Sequence, residues 1–178
     1  MRTRAIRPGR LVRLGSALGL SVTVLTACGF GNSITVHQRG RIGVTVDETG
    51  RPVLAVLTCR KATPQVDLAE GRHDTDPPDR PNVQRGNWQA RASFTGVQML
   101  PLASAGPNWE QTGPRTGQLE PDRLFVAGGG TTEDDDAVLQ QVTFRGRDLA
   151  GLDPGRVRVG EGTVQSMDQF RAYRCADD

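Results

Sequence analysis

From residue 34 onward the chain is written in short runs of alternating apolar and polar residues. Ile42, Val44 and Val46 alternate with Gly43, Thr45 and Asp47, the period of a strand with one face buried. Asp47-Glu48-Thr49-Gly50 supplies turn chemistry ahead of Pro52. Val53 to Leu57 is apolar throughout and leads to Cys59, which predicts a hairpin partner buried on both faces. A short strand is predicted at Gln65–Leu68. Over 87–94, Trp88, Ala90, Ala92 and Phe94 alternate with polar residues and predict one strand with a bulky inner face. Val97–Leu102 is a further apolar piece, and strands are expected at Leu124–Ala127, from Val138 through Gln140 and Val142 to Phe144, at Val157–Val159 and at Phe170–Cys175. Leu149 to Gly155 reads as a helical turn closed by Pro154-Gly155. Pro, Gly and acidic residues mark three loops at 71–86, 103–118 and 128–136. Turns every ten residues or so, with no long segment of 3.6-residue period, predict an all-β fold and an antiparallel β-sandwich.

The first 27 residues follow another pattern. Arg2, Arg4, Arg7, Arg10 and Arg13 form a basic leader, and Leu14 to Thr26 is a 13-residue apolar stretch. Crossing a bilayer takes about 20 apolar residues, so this run has the length of a signal-peptide core instead. No adjacent Arg-Arg pair is present, which favours general secretion over the twin-arginine route.

Leu25-Thr26-Ala27-Cys28, placed directly after that stretch, resembles the lipobox of bacterial lipoproteins. The resemblance implies that residues 1–27 are removed and that Cys28 carries a diacylglyceryl thioether and an acylated amine. Two or more acyl chains anchor a protein stably where one does not. Residues 28–33 then form a short tether, and 34–178 a domain held at the outer face of the cell membrane. Cleavage after Ala27 as an ordinary signal peptide would leave Cys28 a free thiol.

Removing the leader changes the sign of the charge. Five of the 22 Lys and Arg residues go with it, leaving 17 against 20 Asp and Glu. A mildly acidic domain gives no electrostatic case for nucleic acid as a partner. Its size suits one domain. With Cys28 spent on lipid, Cys59 and Cys175 form an even pair in an oxidising compartment, readable as a disulfide or as two buried thiols.

The strand ending at Cys59 and the late Tyr173-Arg174-Cys175 resemble the immunoglobulin disulfide framework, where a Tyr lies two residues before the second Cys. The wide Cys59–Cys175 spacing, the late Trp88 and the short tail after Cys175 depart from it, so an immunoglobulin-like topology stays one option within the sandwich class. The lipobox, the Arg-rich composition and Val142-Thr143-Phe144…Leu149…Leu152-Asp153-Pro154-Gly155-Arg156-Val157 are also similar to small actinobacterial lipoproteins. That resemblance implies a surface-held, sandwich-like domain and transfers no activity.

Candidate chemistry is sparse. His73-Asp74-Thr75-Asp76 offers ligands but sits in a Pro-flanked loop, a poor preorganised metal site. Glu133 to Asp136 place four carboxylates in a row without the alternating spacing and internal Gly of a calcium loop, so a solvated hairpin is the expectation. No G-x-S-x-G elbow occurs, and no Gly-Lys-Ser/Thr follows Gly128-Gly129-Gly130. No catalytic residue, metal or cofactor is expected. Trp109, in Gly106-Pro107-Asn108-Trp109, is the single binding candidate, as an exposed stacking platform or as a cap on the core.

The expectation is a non-enzymatic lipoprotein that recognises an envelope protein or cell-wall component. The alternative is a small carrier holding an apolar ligand within the sandwich. A cavity of several hundred Å³ lined by aliphatic residues would favour the carrier.

Overall fold

The computed structural model describes residues 37–72, 76–77 and 79–175. Leu25-Thr26-Ala27-Cys28, which resembles a lipobox, and His73-Asp74-Thr75 lie outside the described residues. The first hairpin forms where the pattern places it. Strands β1 (His37–Val46) and β2 (Pro52–Ala62) pair antiparallel, from Val46 opposite Pro52 to Gly40 opposite Thr58. Asp47 shapes the turn, its carboxylate accepting from the amides of Thr49 and Arg51 at 2.8 and 3.0 Å. Gly50 takes φ 78° there, a backbone conformation that a side chain would strain.

The order continues with β3 (Pro64–Glu70), β4 (Val83–Ala90), β5 (Phe94–Pro101), β6 (Trp109–Gln111), β7 (Leu124–Thr131) and β8 (Ala137–Arg145). It ends with α1 (Gly146–Ala150), β9 (Arg156–Val159), β10 (Thr163–Ser166) and α2 (Met167–Arg171). The fold is all-β, as the pattern predicts. Among the described residues the ten strands form one sheet, running β5-β2-β1-β8-β7-β3-β4-β6, with β9 and β10 branching at β1. The sheet curls into a near-barrel, so its inner face closes on a single core that includes Ile42, Leu54, Trp88, Phe125 and Phe144. One pair departs from the antiparallel expectation: β1 and β8 run parallel. A parallel neighbour needs a long crossover, and here everything from β2 to β7 lies between the two strands.

Several local expectations are revised by contacts that a sequence window does not contain. The segment expected as one strand over 87–94 is two, because the chain turns at 91–93 between β4 and β5. Gly128-Gly129-Gly130, expected in a loop, lie within β7. A Cβ on Gly129 would come 2.0 Å from the Gln65 carbonyl oxygen of neighbouring β3. The hairpin turn is confined to 132–136. In β8 the buried residues are Ala137, Leu139, Val142 and Phe144, whereas Val138 is half-buried and Gln140 exposed. The phase slips at Gln140-Gln141, which face β7 across a register shift, a bulge that adds one residue to a strand. The strand expected at Phe170–Cys175 is α2 followed by coil.

A second, smaller core lies on the outer side of the barrel wall. Ala55 and Leu57 of β2 meet Val157 and Val159 of β9 and Phe170 of α2. This layer buries the outer face of β1 as well, where Gly43 packs under Val157 and Phe170, so β1 is covered on both faces rather than on one. Cys59 and Cys175 are joined by a disulfide with Cα atoms 6.2 Å apart, closing 116 positions of chain. The bridge ties β2 to the coil after α2, outside the barrel. In the immunoglobulin arrangement the bridge joins two strands and a core Trp packs on it. Here Trp88 belongs to the inner core and Cys59 to the outer cluster.

Candidate functional site

β1 and β2 define two ends of the barrel. One holds the β1–β2 turn; the other holds the start of β1 and the end of β2. Each end carries a concavity, and their chemistries differ.

At the turn end, the chain from 112 to 123 crosses the barrel mouth without forming a strand. It is fastened on the α1 side. The Arg147 amide donates to the Pro121 carbonyl at 2.9 Å, and the Arg147 and Arg145 guanidinium groups reach the Asp122 carboxylate at 3.0 Å and its carbonyl at 2.6 Å. Gly146 permits the approach: a Cβ there would stand 2.4 Å from the Glu120 carbonyl oxygen. Asp148 holds the start of α1 by accepting from the Arg145 amide at 2.8 Å. Leu119 packs down on the inner core.

Between this strap and the barrel lies a half-open cleft of about 350 Å³. Its walls are Leu102 and Ala103 after β5, Leu119 of the strap, Leu149 and Ala150 of α1, and Pro52 of β2. Gly50 and Gly117 complete it, with nothing within 4 Å of where a Cβ would stand. Among the described residues, no charged and no aromatic side chain lines the cleft. Its polar side chains are Gln118 and Thr116, and the Thr116 hydroxyl oxygen is buried with no hydrogen-bond partner. A buried hydroxyl without a partner is unfavourable. The volume falls at the low end of small-molecule sites.

At the other end, Arg39, Arg60 and Lys61 share a depression of about 220 Å³ with Glu133 and Asp134. The acidic hairpin is engaged with protein groups. Asp134 pairs with Arg39 at 3.6 Å, and both Glu133 carboxylate oxygens accept from the Thr63 amide, at 2.9 and 3.0 Å. Burial pushes the Glu133 carboxyl up, but the hydrogen bonds from Thr63 outweigh it and hold the group below its ordinary value. Among the described residues no three His, Cys, Asp or Glu side chains gather as a metal would require.

Trp109 is not an exposed platform. It is 2% exposed, its indole N–H donates to the Met99 carbonyl at 3.2 Å, and its ring meets Phe94 edge-on with centroids 6.1 Å apart. Of its two readings, the cap on the core is the one the geometry has. The structure keeps the Cys59–Cys175 pair together and leaves Trp109 far from any ligand role.

The cleft residues were not singled out in the sequence. Leu119 is an isolated apolar residue in an irregular stretch, and Thr116 one polar residue among several. The usable signal was the Leu149…Leu152 turn after a long strand, which marks an apolar face at a barrel end. No protein-family model, curated protein or solved structure matches the chain.

Proposed function

We propose that this protein is a lipid-anchored, non-enzymatic binding module on the outer face of the cell membrane, and that it takes an apolar group of an envelope component into the cleft beneath the 112–123 strap. The observation that carries this reading is the cleft itself: about 350 Å³, aliphatic, uncharged and half-open. The anchor is supported by the lipobox at Leu25–Cys28 after a basic leader and a short apolar core. Eight residues lie between Cys28 and His37, a reach of at most about 30 Å. β1 starts at the barrel end opposite the cleft.

The carrier alternative changes its location under this reading. Trp88, Phe125, Phe144 and Trp109 fill the interior between the sheet faces, and the space for an apolar ligand is at the barrel mouth. Recognition of a protein and carriage of a small apolar ligand then compete for one site. A photoreactive amino acid at Ala150, an exposed cleft position, irradiated on intact membranes and read by mass spectrometry, tests the proposal. Capture of an envelope component there supports it, and capture equal to that from a position on the 132–136 hairpin sinks it. The anchor is tested by Cys28→Ser, which moves the protein from the detergent phase to the aqueous phase; a wild-type chain already in the aqueous phase removes it.

A further inference from the structure

We infer that a depression on the outer wall of the barrel, beside the Cys59–Cys175 bridge, binds a single phosphate group through the guanidinium groups of Arg171 and Arg174 and the hydroxyls of Thr95 and Tyr173. This site is separate from the cleft under the strap, and the two stand independently.

The depression has a volume of about 120 Å³, well below the 300 Å³ or so at which sites for drug-sized molecules begin. Its lining comes from four segments: β2 with Cys59, β5 with Thr95 and Gly96, the end of α2 with Arg171, and the coil after it with Tyr173 and Arg174. Among the described residues its charged lining groups are both cations. Arg171 meets the Asp168 carboxylate at 3.1 Å, an exposed contact on its own helix that engages one of its nitrogens. A pair of that kind is weak, and most of the five donors of the guanidinium are left over. Arg174 is exposed and pairs with no carboxylate among the described residues.

A third guanidinium adjoins the site. The Tyr173 ring, which lines the depression, has its centroid 4.4 Å from the guanidinium carbon of Arg41. Arg41 is buried, and no carboxylate pairs with it among the described residues. A buried charge without a counter-ion is costly, and an anion beside Tyr173 offsets part of that cost. Three arginines therefore meet one exposed carboxylate here, in a domain where acidic residues outnumber basic ones from residue 28 onward.

The donor set favours phosphate over carboxylate. One guanidinium fork saturates the two oxygens of a carboxylate. Here two forks and two hydroxyls come from different segments, which suits the tetrahedral oxygens of a phosphate. The Thr58 hydroxyl is not among these donors, being engaged with the Phe94 carbonyl at 2.8 Å. Gly96 leaves open space where a side chain would stand.

The arginines are also held on a fixed backbone. Arg174 sits between Tyr173, stacked on Arg41, and Cys175, bridged to Cys59. Arg171 follows Phe170, which is fully buried in the outer core. The bridge and the aromatic clamp thus place both forks before a ligand arrives, which lowers the cost of binding.

The test uses the full-length protein in neutral detergent and follows the side-chain Nε–H signals of Arg171 and Arg174 by heteronuclear NMR, in mildly acidic buffer at fixed ionic strength. The probes are inorganic phosphate, glycerophosphoglycerol (the diester headgroup of an anionic lipid without its chains) and acetate. Phosphate is expected to move both signals saturably, with an affinity at least about threefold above that of acetate. Arg171→Ala, read on Arg174, and Arg174→Ala, read on Arg171, should each weaken binding about threefold to tenfold, the range of one net hydrogen bond. Arg115→Ala, an exposed change in the strap, should leave binding as it is. A response to the diester, with or without one to phosphate, supports the site with a lipid headgroup as its source. A response to inorganic phosphate alone supports it with free phosphate or a monoester as the source. No saturable shift with either, or an equal response to acetate, overturns the assignment. Binding that appears only after Asp177→Asn with Asp178→Asn overturns it as well, because carboxylates of the chain itself then hold the depression.

Discussion

The indole N–H of Trp109 lies 3.2 Å from the carbonyl oxygen of Met99, and this contact joins the two ends of the sheet. Met99 is on β5, which pairs only with β2, and Trp109 is on β6, which pairs only with β4. No ladder joins β5 to β6 among the described residues. A buried aromatic side chain closes the seam, and its donor covers a carbonyl on an edge strand that would otherwise need another strand or water. Trp109→Ala should cost about 3–5 kcal/mol, whereas Trp109→Phe, which keeps the packing and loses the hydrogen bond, should cost about 1 kcal/mol beyond the change in ring size. Urea unfolding of the two variants reads the difference; a small loss for Trp109→Ala would mean the seam is held elsewhere.

The Asp47 turn makes stability depend on acid. The Thr49 hydroxyl, then the Arg51 amide, hold the Asp47 carboxyl well below the usual carboxylate range against desolvation, with smaller help from the Thr49 amide and the Arg51 guanidinium. A carboxyl whose folded pKa lies below its unfolded value, about 3.9, stabilises fully above that value and progressively less as pH falls beneath it. Asp47→Asn should therefore melt below the wild type at pH 7, with the gap narrowing from about pH 4 downward. A gap that stays constant from pH 7 to pH 2 would show that the charge is not what Thr49 and Arg51 recognise.

Adjacent glycines in β7 should respond differently to the same change. A Cβ on Gly129 would sit 2.0 Å from the Gln65 carbonyl oxygen, while on Gly128 it would meet only the Gln141 Cβ at 3.7 Å. Gly129→Ala must push β3 and β7 apart and should cost at least about 2 kcal/mol, in the range of overpacking. Gly128→Ala should change stability by under about 1 kcal/mol. Thermal unfolding of both variants is the measurement, and equal effects would contradict the close approach of the strands.

The C-terminal segment is clamped over a cation. Arg41, 9% exposed, has its guanidinium carbon 4.4 Å from the Tyr173 ring centroid and 5.3 Å from that of Phe170. Burial pushes its pKa down, with Tyr173 opposing, and its Nε is buried without a partner. The aromatic faces favour the charge and its desolvation opposes it, so Arg41→Met should leave stability within about 1 kcal/mol. The disulfide that fixes this clamp should matter far more: Cys59→Ser with Cys175→Ser should cost about 4–5 kcal/mol, the value for a loop of this size. Denaturation of the three-substitution set separates the two terms, and a loss above about 2 kcal/mol for Arg41→Met would show the cation to be stabilising.

Much of the barrel was legible in the sequence because its signals are local. The β1–β2 hairpin is encoded by Val44, Val46, the Asp47–Gly50 turn and the apolar run from Val53. Of the two readings that the even count of Cys59 and Cys175 left, a bridge or two buried thiols, the structure has the bridge. Alternation failed at β8, since a bulge at Gln140-Gln141 shifts the inward phase without changing composition. It failed at Phe170, where the partner that decides between strand and helix is the outer face of β1.

What the sequence by itself determined is the all-β class and the main hairpin, and it narrowed Cys59 and Cys175 to a bridge or two buried thiols. Only the tertiary structure decided the parallel β1–β8 pairing, the burial of Trp109 in the seam and the cleft under the strap. Each of these depends on which surfaces meet when the sheet closes. Alternation states that a side is buried, and the closing of the sheet determines against what.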